Sequence, residues 1–159
     1  MARIVPCIVA SLTLLVVAAP ARSQEPLNDA MQSEVAAIKK RIDVFFVQLA
    51  GPTPDAERAV RDLIGSGPLK DRNDDIARLI DQAQPASLDL RYGVYTGHEA
   101  VSERAVGRDL VFLRYLYKGE RFPAVWYFAF YRTAGAGGLK TDWSLISLRF
   151  DSKIESLDR

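Results

Sequence analysis

The spacing of apolar residues changes at Pro85, and this change constrains the fold more than any other feature of the sequence. Before Pro85 apolar residues recur at steps of three and four, the spacing of one helix face. After Pro85 apolar and polar residues alternate, as in a strand with one buried face. Of the 15 aromatic residues, 13 also follow Pro85, and aromatic residues favour strands. Helices and strands in separate blocks predict an α+β fold, with helices on one face of an antiparallel sheet.

The sequence predicts a first helix of about 24 residues, from Leu27 to the break at Gly51-Pro52. Its apolar stripe consists of Met31, Val35, Ile38, Ile42, Phe45 and Leu49. We interpret this stripe as core, although a coiled-coil seam with a partner helix has the same period.

Two shorter helices are predicted to follow. One begins at Thr53-Pro54-Asp55, with the Thr53 hydroxyl as its N-cap and Pro54 in the first turn, and ends at Gly65. The other runs from Asp71 to Ala83, with Asn73 or Asp71 as its cap, and Pro85 is expected to stop it.

Five strands are predicted after Pro85. In the first, Leu88, Leu90, Tyr92 and Val94 form the side that faces the helices. The other four are placed near Ser102 to Val106, Asp109 to Tyr117, Val125 to Tyr131 and Asp142 to Phe150. The predicted turns between strands are Gly97, Gly107, Lys118-Gly119-Glu120 and Ala134 to Gly138.

The N-terminus has the three parts of a secretory signal peptide. Arg3 supplies a charge, residues 4–18 are apolar, and Ala21-Arg22-Ser23 is a small-residue cleavage site. The apolar segment is shorter than the roughly 20 residues that span a bilayer, so no membrane anchor is expected after cleavage. We therefore predict a signal peptide over 1–23, a single domain over 24–159, and a periplasmic or secreted protein.

Charge and cysteine content exclude several functions for residues 24–159. This part of the chain has 19 basic and 20 acidic residues and no basic run, so it lacks the signature of a nucleic-acid binder. Cys7 lies in the predicted signal peptide, which excludes thiol catalysis and thiolate metal sites. His98 is the single histidine, so a zinc site with three or four nitrogen and sulfur ligands cannot form within one chain. No metal or other cofactor is expected.

His98 itself has two interpretations. It lies in the segment Thr-Gly-His-Glu and is interpreted as a solvated turn residue. The alternative is a general base beside Glu99 or Glu103.

The helices and the segments "YGVYTGHEAV", "VGRDLVFLRYLYKGERFPAVWYFAFYR" and "WSLISLRFD" resemble the nuclear-transport-factor-2-like superfamily. This superfamily includes ketosteroid isomerases and SnoaL-like cyclases, and the segment from Pro123 onward looks most like its small exported bacterial members. The resemblance covers about residues 30–151. It implies a cone-shaped fold in which the helices pack on a curved sheet.

The resemblance does not carry over an active site. Isomerases of the family pair a general-base aspartate with a tyrosine and a protonated acid. Asp89 and Glu103 are the acids near the predicted strand centres, and both are expected to face solvent. The sequence therefore favours a noncatalytic module that binds a small apolar ligand or a protein partner through the sheet. The alternatives are an isomerase or dehydratase with Tyr92 as a donor, and a structural envelope component.

Three residues are predicted to contact a ligand in the cone: Tyr92, Arg114 and Tyr127. Tyr92 is expected to project its hydroxyl between helix and sheet. Arg114 lies among apolar strand residues, where it is either exposed or a carboxylate anchor inside the cone. A homodimer is also predicted, because the strands around Leu110 to Tyr117 and Val125 to Tyr131 are apolar on both alternations and helices can cover only one sheet face.

Overall fold

The computed structural model describes residues 29–65, 67–88, 91–133 and 142–152. The predicted signal peptide, Asp89 and the Ala134 to Gly138 turn lie outside these residues. Three helices come first, α1 (Asp29–Ala50), α2 (Ala56–Ile64) and α3 (Asn73–Leu88). Four strands follow, β1 (Tyr95–Val106), β2 (Leu110–Gly119), β3 (Ala124–Thr133) and β4 (Asp142–Asp151).

The strands form one antiparallel sheet in the order β1-β2-β3-β4, each paired with its neighbour in sequence. Together with the helix block this confirms the α+β prediction. None of the described helices is long and apolar enough to cross a membrane.

The predicted stripe of α1 is core. All six of its residues from Met31 to Leu49 are buried. Phe46, beside the stripe, is buried as well, and its ring lies 5.7 Å from the ring of Tyr115 and 6.0 Å from that of Phe128. The apolar face of α1 therefore packs on the aromatic residues of β2 and β3.

Arg41 joins α1 to two other elements. Its guanidinium donates to the carbonyl of Trp143 at 2.6 Å and to that of Leu63 at 2.7 Å, and it lies over the Phe130 ring. Burial lowers the pKa of Arg41, and the nearby Asp142 carboxylate partly offsets this effect. Arg41 is thus half-buried, although it falls off the apolar stripe.

The boundaries of α2 and α3 correct two predictions. Asp55, not Thr53, caps α2, because its carboxylate accepts from the Arg58 N–H at 2.9 Å. Helix α3 does not stop before Pro85 but continues to Leu88. Pro85 lies in the last turn, where the missing N–H costs one helical hydrogen bond and few residues follow.

The predicted strand from Leu88 to Val94 is wrong. Leu88 ends α3, and Tyr92 to Val94 form a turn and bend. The Tyr92 carbonyl accepts from the Arg121 N–H at 3.0 Å, and the Val94 carbonyl accepts from the Glu120 N–H at 2.8 Å. The segment therefore packs on the β2–β3 connection. Of the residues expected to face the helices, Tyr92 is buried, whereas Val94 is 70% exposed. The other four strands are confirmed, with two differences in their bounds. Strand β1 begins earlier and includes Gly97, and β2 ends later and includes Lys118 and Gly119, although these three residues were predicted to lie in turns.

Candidate functional site

The two faces of the sheet differ in what covers them. Tyr115 and Phe128 contact Phe46 and thus face α1. Arg114 comes directly before Tyr115, and Tyr127 comes directly before Phe128. Because successive side chains of a strand point to opposite faces, Arg114 and Tyr127 point away from α1. We call this second face the outer face.

A row of three side chains crosses the outer face. Arg114 on β2 is opposite Tyr127 on β3, which is opposite Arg149 on β4. The Arg114 guanidinium carbon lies 5.3 Å from the centroid of the Tyr127 ring, and that of Arg149 lies 4.9 Å from it. Both distances are typical of cation–π contacts.

A second cation–π pair lies in the neighbouring row. Arg104 on β1 is opposite Phe112 on β2, and its guanidinium carbon is 5.1 Å from the ring centroid. The Phe112 side chain remains 37% exposed, so an apolar surface is open to solvent beside this arginine.

These two rows line a groove of about 600 Å³, which is within the size range of small-molecule sites. The side chains of the two rows that line it are Ser102, Arg104, Phe112, Arg114, Tyr127, Ala129, Ser147 and Arg149. The groove thus combines two aromatic side chains with three guanidinium groups.

The charge of the groove is positive. Glu103 borders it, but this carboxylate pairs with Lys39 of α1 at 2.6 Å, on the helix side. In the described part of the chain Arg104 and Arg149 contact aromatic rings, and neither is ion-paired with a carboxylate. Arg104 and Arg149 therefore place two positive charges at the groove with no carboxylate partner among the described residues, and these charges attract a bound anion.

His98 lies on the other face and is not a solvated turn residue. Its side chain is 16% exposed and its ring stacks on Phe46 at 4.5 Å. Nε2 bonds the Asp43 carboxylate at 2.9 Å, and Nδ1 bonds the Tyr95 hydroxyl. Glu99 instead pairs with Lys118 at 2.6 Å, and this hydrogen bond lowers the pKa of the Glu99 carboxyl. Asp43 therefore takes the position predicted for Glu99 or Glu103.

Tyrosines surround His98 on this face. Burial raises the pKa of Tyr115, and the Asp43 and Glu103 carboxylates raise it further. Burial also raises the pKa of Tyr117 to about 12, with smaller contributions from Tyr95 and Tyr92. Burial and Asp43 raise the pKa of Tyr95. These hydroxyls are therefore held in their neutral form, and both ring nitrogens of His98 already have partners.

The structure separates the three residues predicted to share a ligand. Arg114 and Tyr127 are in contact, but on the outer face and not between the helices and the sheet. Tyr92 is 2% exposed and packs against the rings of Tyr117 and Phe150 on the helix side. It does not line the groove. The expectation that Glu103 faces solvent is also wrong, since its side chain is 25% exposed and paired with Lys39.

Sequence reasoning did not select Arg104, Phe112 or Arg149 as site residues. Phe112 and Arg149 lie next to core residues on their strands, which is a usable signal for the outer face, whereas no residue of β1 beside Arg104 is buried. Which of these residues lie side by side depends, however, on how the strands are paired. In β4 one extra residue lies between Ser147 and Leu145, although the residues of β3 that they pair with are adjacent. Register of this kind is not readable from strand composition.

Metal binding has no candidate in the described ranges, where no group of three or more His, Cys, Asp or Glu side chains is positioned to hold an ion. Comparison of the chain with protein-family models, with curated proteins and with solved structures found no match.

Proposed function

We propose that the protein is a noncatalytic binding module whose ligand occupies the groove on the outer face. The proposal rests on one observation: three arginines and two aromatic rings line a single groove of about 600 Å³. Small-molecule sites typically combine apolar walls with a few oriented polar groups. The ligand therefore has a flat apolar part, which packs near Tyr127 and Phe112.

The proposal is tested with the neutral probe 2-naphthol. We expect titration of ¹⁵N-labelled protein to shift backbone amide resonances of the strands around the groove, and the probe to be recovered unchanged. Ser147→Trp, at an exposed position that lines the groove, should abolish these shifts because the indole fills the space.

Ile146→Trp is the matched control. Ile146 is 44% exposed on the same strand and does not line the groove, so this variant should retain the shifts. Shifts confined to other elements, or equal loss in both variants, would refute the proposed site.

We also infer that the sheet is curved around α1 as in the nuclear-transport-factor-2-like fold. Three helices followed by a four-stranded antiparallel meander support this inference, because the resemblance implies the same order of elements. An experimental structure with a flat sheet, or with an additional strand between α3 and β1, would contradict it.

Export is a further part of the proposal. The charged, apolar and small-residue segments of 1–23 support removal of this region outside the cytoplasm. Intact-mass analysis of protein from the periplasm or culture medium should give a chain that begins at Gln24 or within two residues of it. A chain that retains Met1 would contradict export by cleavage.

A homodimer is a second candidate. Val106 and Tyr131 flank Leu110 in one row at the end of the outer face, and they are 47% and 45% exposed. Exposed apolar side chains grouped in this way favour association.

A further inference from the structure

The arrangement of the arginines in the groove also bears on which chemical class of ligand it takes. Arg114 and Arg149 belong to strands on either side of Tyr127, and both guanidinium carbons lie within 5.3 Å of its ring centroid. A guanidinium that stacks on a ring uses its flat face for that contact. Its N–H groups point outward in the guanidinium plane and can still donate.

We propose that the groove binds a small-molecule carboxylate with a flat apolar body, an inference that rests on the proposed function. The carboxylate would accept two parallel hydrogen bonds from one arginine, the geometry in which guanidinium and carboxylate groups match. Arg149 is the principal candidate because its side chain is exposed and is not ion-paired among the described residues. The apolar body lies toward Phe112, whose ring is partly exposed.

Charge complementarity favours an anion over a neutral ligand. Arg104 and Arg149 line the groove with no carboxylate partner among the described residues, and the bordering Glu103 is neutralised by Lys39. Inside a partly enclosed groove, less water screens these charges than at a flat surface. A carboxylate therefore gains charge-assisted hydrogen bonds that a neutral amide of the same shape does not.

The test compares 2-naphthoate with 2-naphthamide, two flat probes that differ in charge. We expect the protein to bind 2-naphthoate at least tenfold more tightly, with an affinity that falls as salt is raised. Arg149→Gln should reduce this ratio to about threefold or less and leave the affinity for 2-naphthamide unchanged. Arg78→Gln, at an exposed site on α3, is the matched charge control and should keep the full ratio.

The outcomes separate this inference from the proposed function. If both probes shift the groove amides with equal affinity, the carboxylate assignment is overturned while the binding module stands. If neither probe shifts them, both proposals fail. Should Arg149→Gln lower thermal stability, Arg104→Gln serves as the second variant, and an unchanged ratio in both overturns the assignment. Displacement of 2-naphthoate by hexaglutamate at lower concentration would assign the groove to an acidic protein segment and overturn the small-molecule class.

Discussion

His98 shows how a single side chain joins two elements of this fold. It projects from the edge strand β1, stacks on Phe46 of α1, and bonds Asp43 of the same helix. One turn earlier on α1, Lys39 pairs with Glu103 of β1 at 2.6 Å. Two polar contacts thus hold the edge strand against the helix at positions where the sequence indicates only exposed polar residues.

Removal of the His98 ring should destabilise the protein. His98→Ala loses the stacking on Phe46 and leaves the partly buried Tyr95 hydroxyl without its partner, so we expect a loss of roughly 1 to 3 kcal/mol in the free energy of unfolding. The control is Glu99→Ala, which removes an exposed pair with Lys118 and should change the free energy of unfolding little. Urea denaturation measures both. Equal denaturation midpoints for the two variants would show that His98 does not hold β1 against α1.

The buried tyrosines predict a loss of stability at alkaline pH. Tyr117 ionises near pH 10 when exposed, whereas burial in the folded protein raises its pKa to about 12. Below pH 10 the group is neutral in both states and stability is unaffected. Between pH 10 and 12 only the unfolded state loses the proton, so stability falls by about 1.4 kcal/mol per pH unit for one such group, and the fall ends above pH 12.

Urea unfolding at several values between pH 9 and 11 checks this dependence. Tyr117→Phe should give a shallower decline than the unaltered protein, since one ionisable group is removed from the core. Tyr131→Phe changes a tyrosine that is 45% exposed and should leave the slope as it was. If Tyr117→Phe leaves the decline of stability with pH unchanged, the ionisation of Tyr117 does not cause that decline.

At the scale of elements, prediction succeeds where the signal is local. The spacing of apolar residues in α1 depends only on residues of that helix. Its buried face, which includes Ile42 and Phe45, could therefore be predicted from the sequence. The segment ending at Val94 also alternates, but its backbone pairs with Glu120 and Arg121, far along the chain. Alternating apolar residues thus also occur in a segment that forms a turn and bend with distant backbone partners, and the sequence alone does not separate this case from a strand.

Truncation of the α1 stripe should cost far more than truncation of its exposed side. Ile42 and Phe45 are 0% and 1% exposed, so Ile42→Ala and Phe45→Ala should each lower the free energy of unfolding by roughly 2 to 5 kcal/mol. Lys40→Ala, on the exposed face of the same helix, should cost little. Thermal and urea unfolding measure these differences, and similar midpoints for the three variants would mean that α1 does not anchor the core.

At the scale of the whole molecule, helices cover one face of the sheet and the other face carries the candidate site. The sequence contains the reason for this asymmetry, since three helices precede the strands and can pack on only one side. It predicts Arg114 and Tyr127 as ligand contacts but does not fix which face of the sheet they point to. The alternation on β2 and β3 is apolar enough on both sides that only the contacts with Phe46 decide which residues point toward α1.

The apolar end of the outer face predicts that the protein forms a homodimer. Val106 and Tyr131 lie at one end of this face, and Tyr131 is four residues from Tyr127 along β3, about 13 Å at the rise of a strand. A dimer through this end would bury the exposed apolar side chains and leave the arginine groove accessible.

We expect light scattering at micromolar concentration to give twice the monomer mass, and Tyr131→Asp to give the monomer. Val47→Asp places the same charge at a side chain 58% exposed on α1 and should remain dimeric. If the groove stays open, the affinity for 2-naphthoate will be the same in Tyr131→Asp as in the dimer, whereas a tighter affinity in the monomer would place the groove inside the interface.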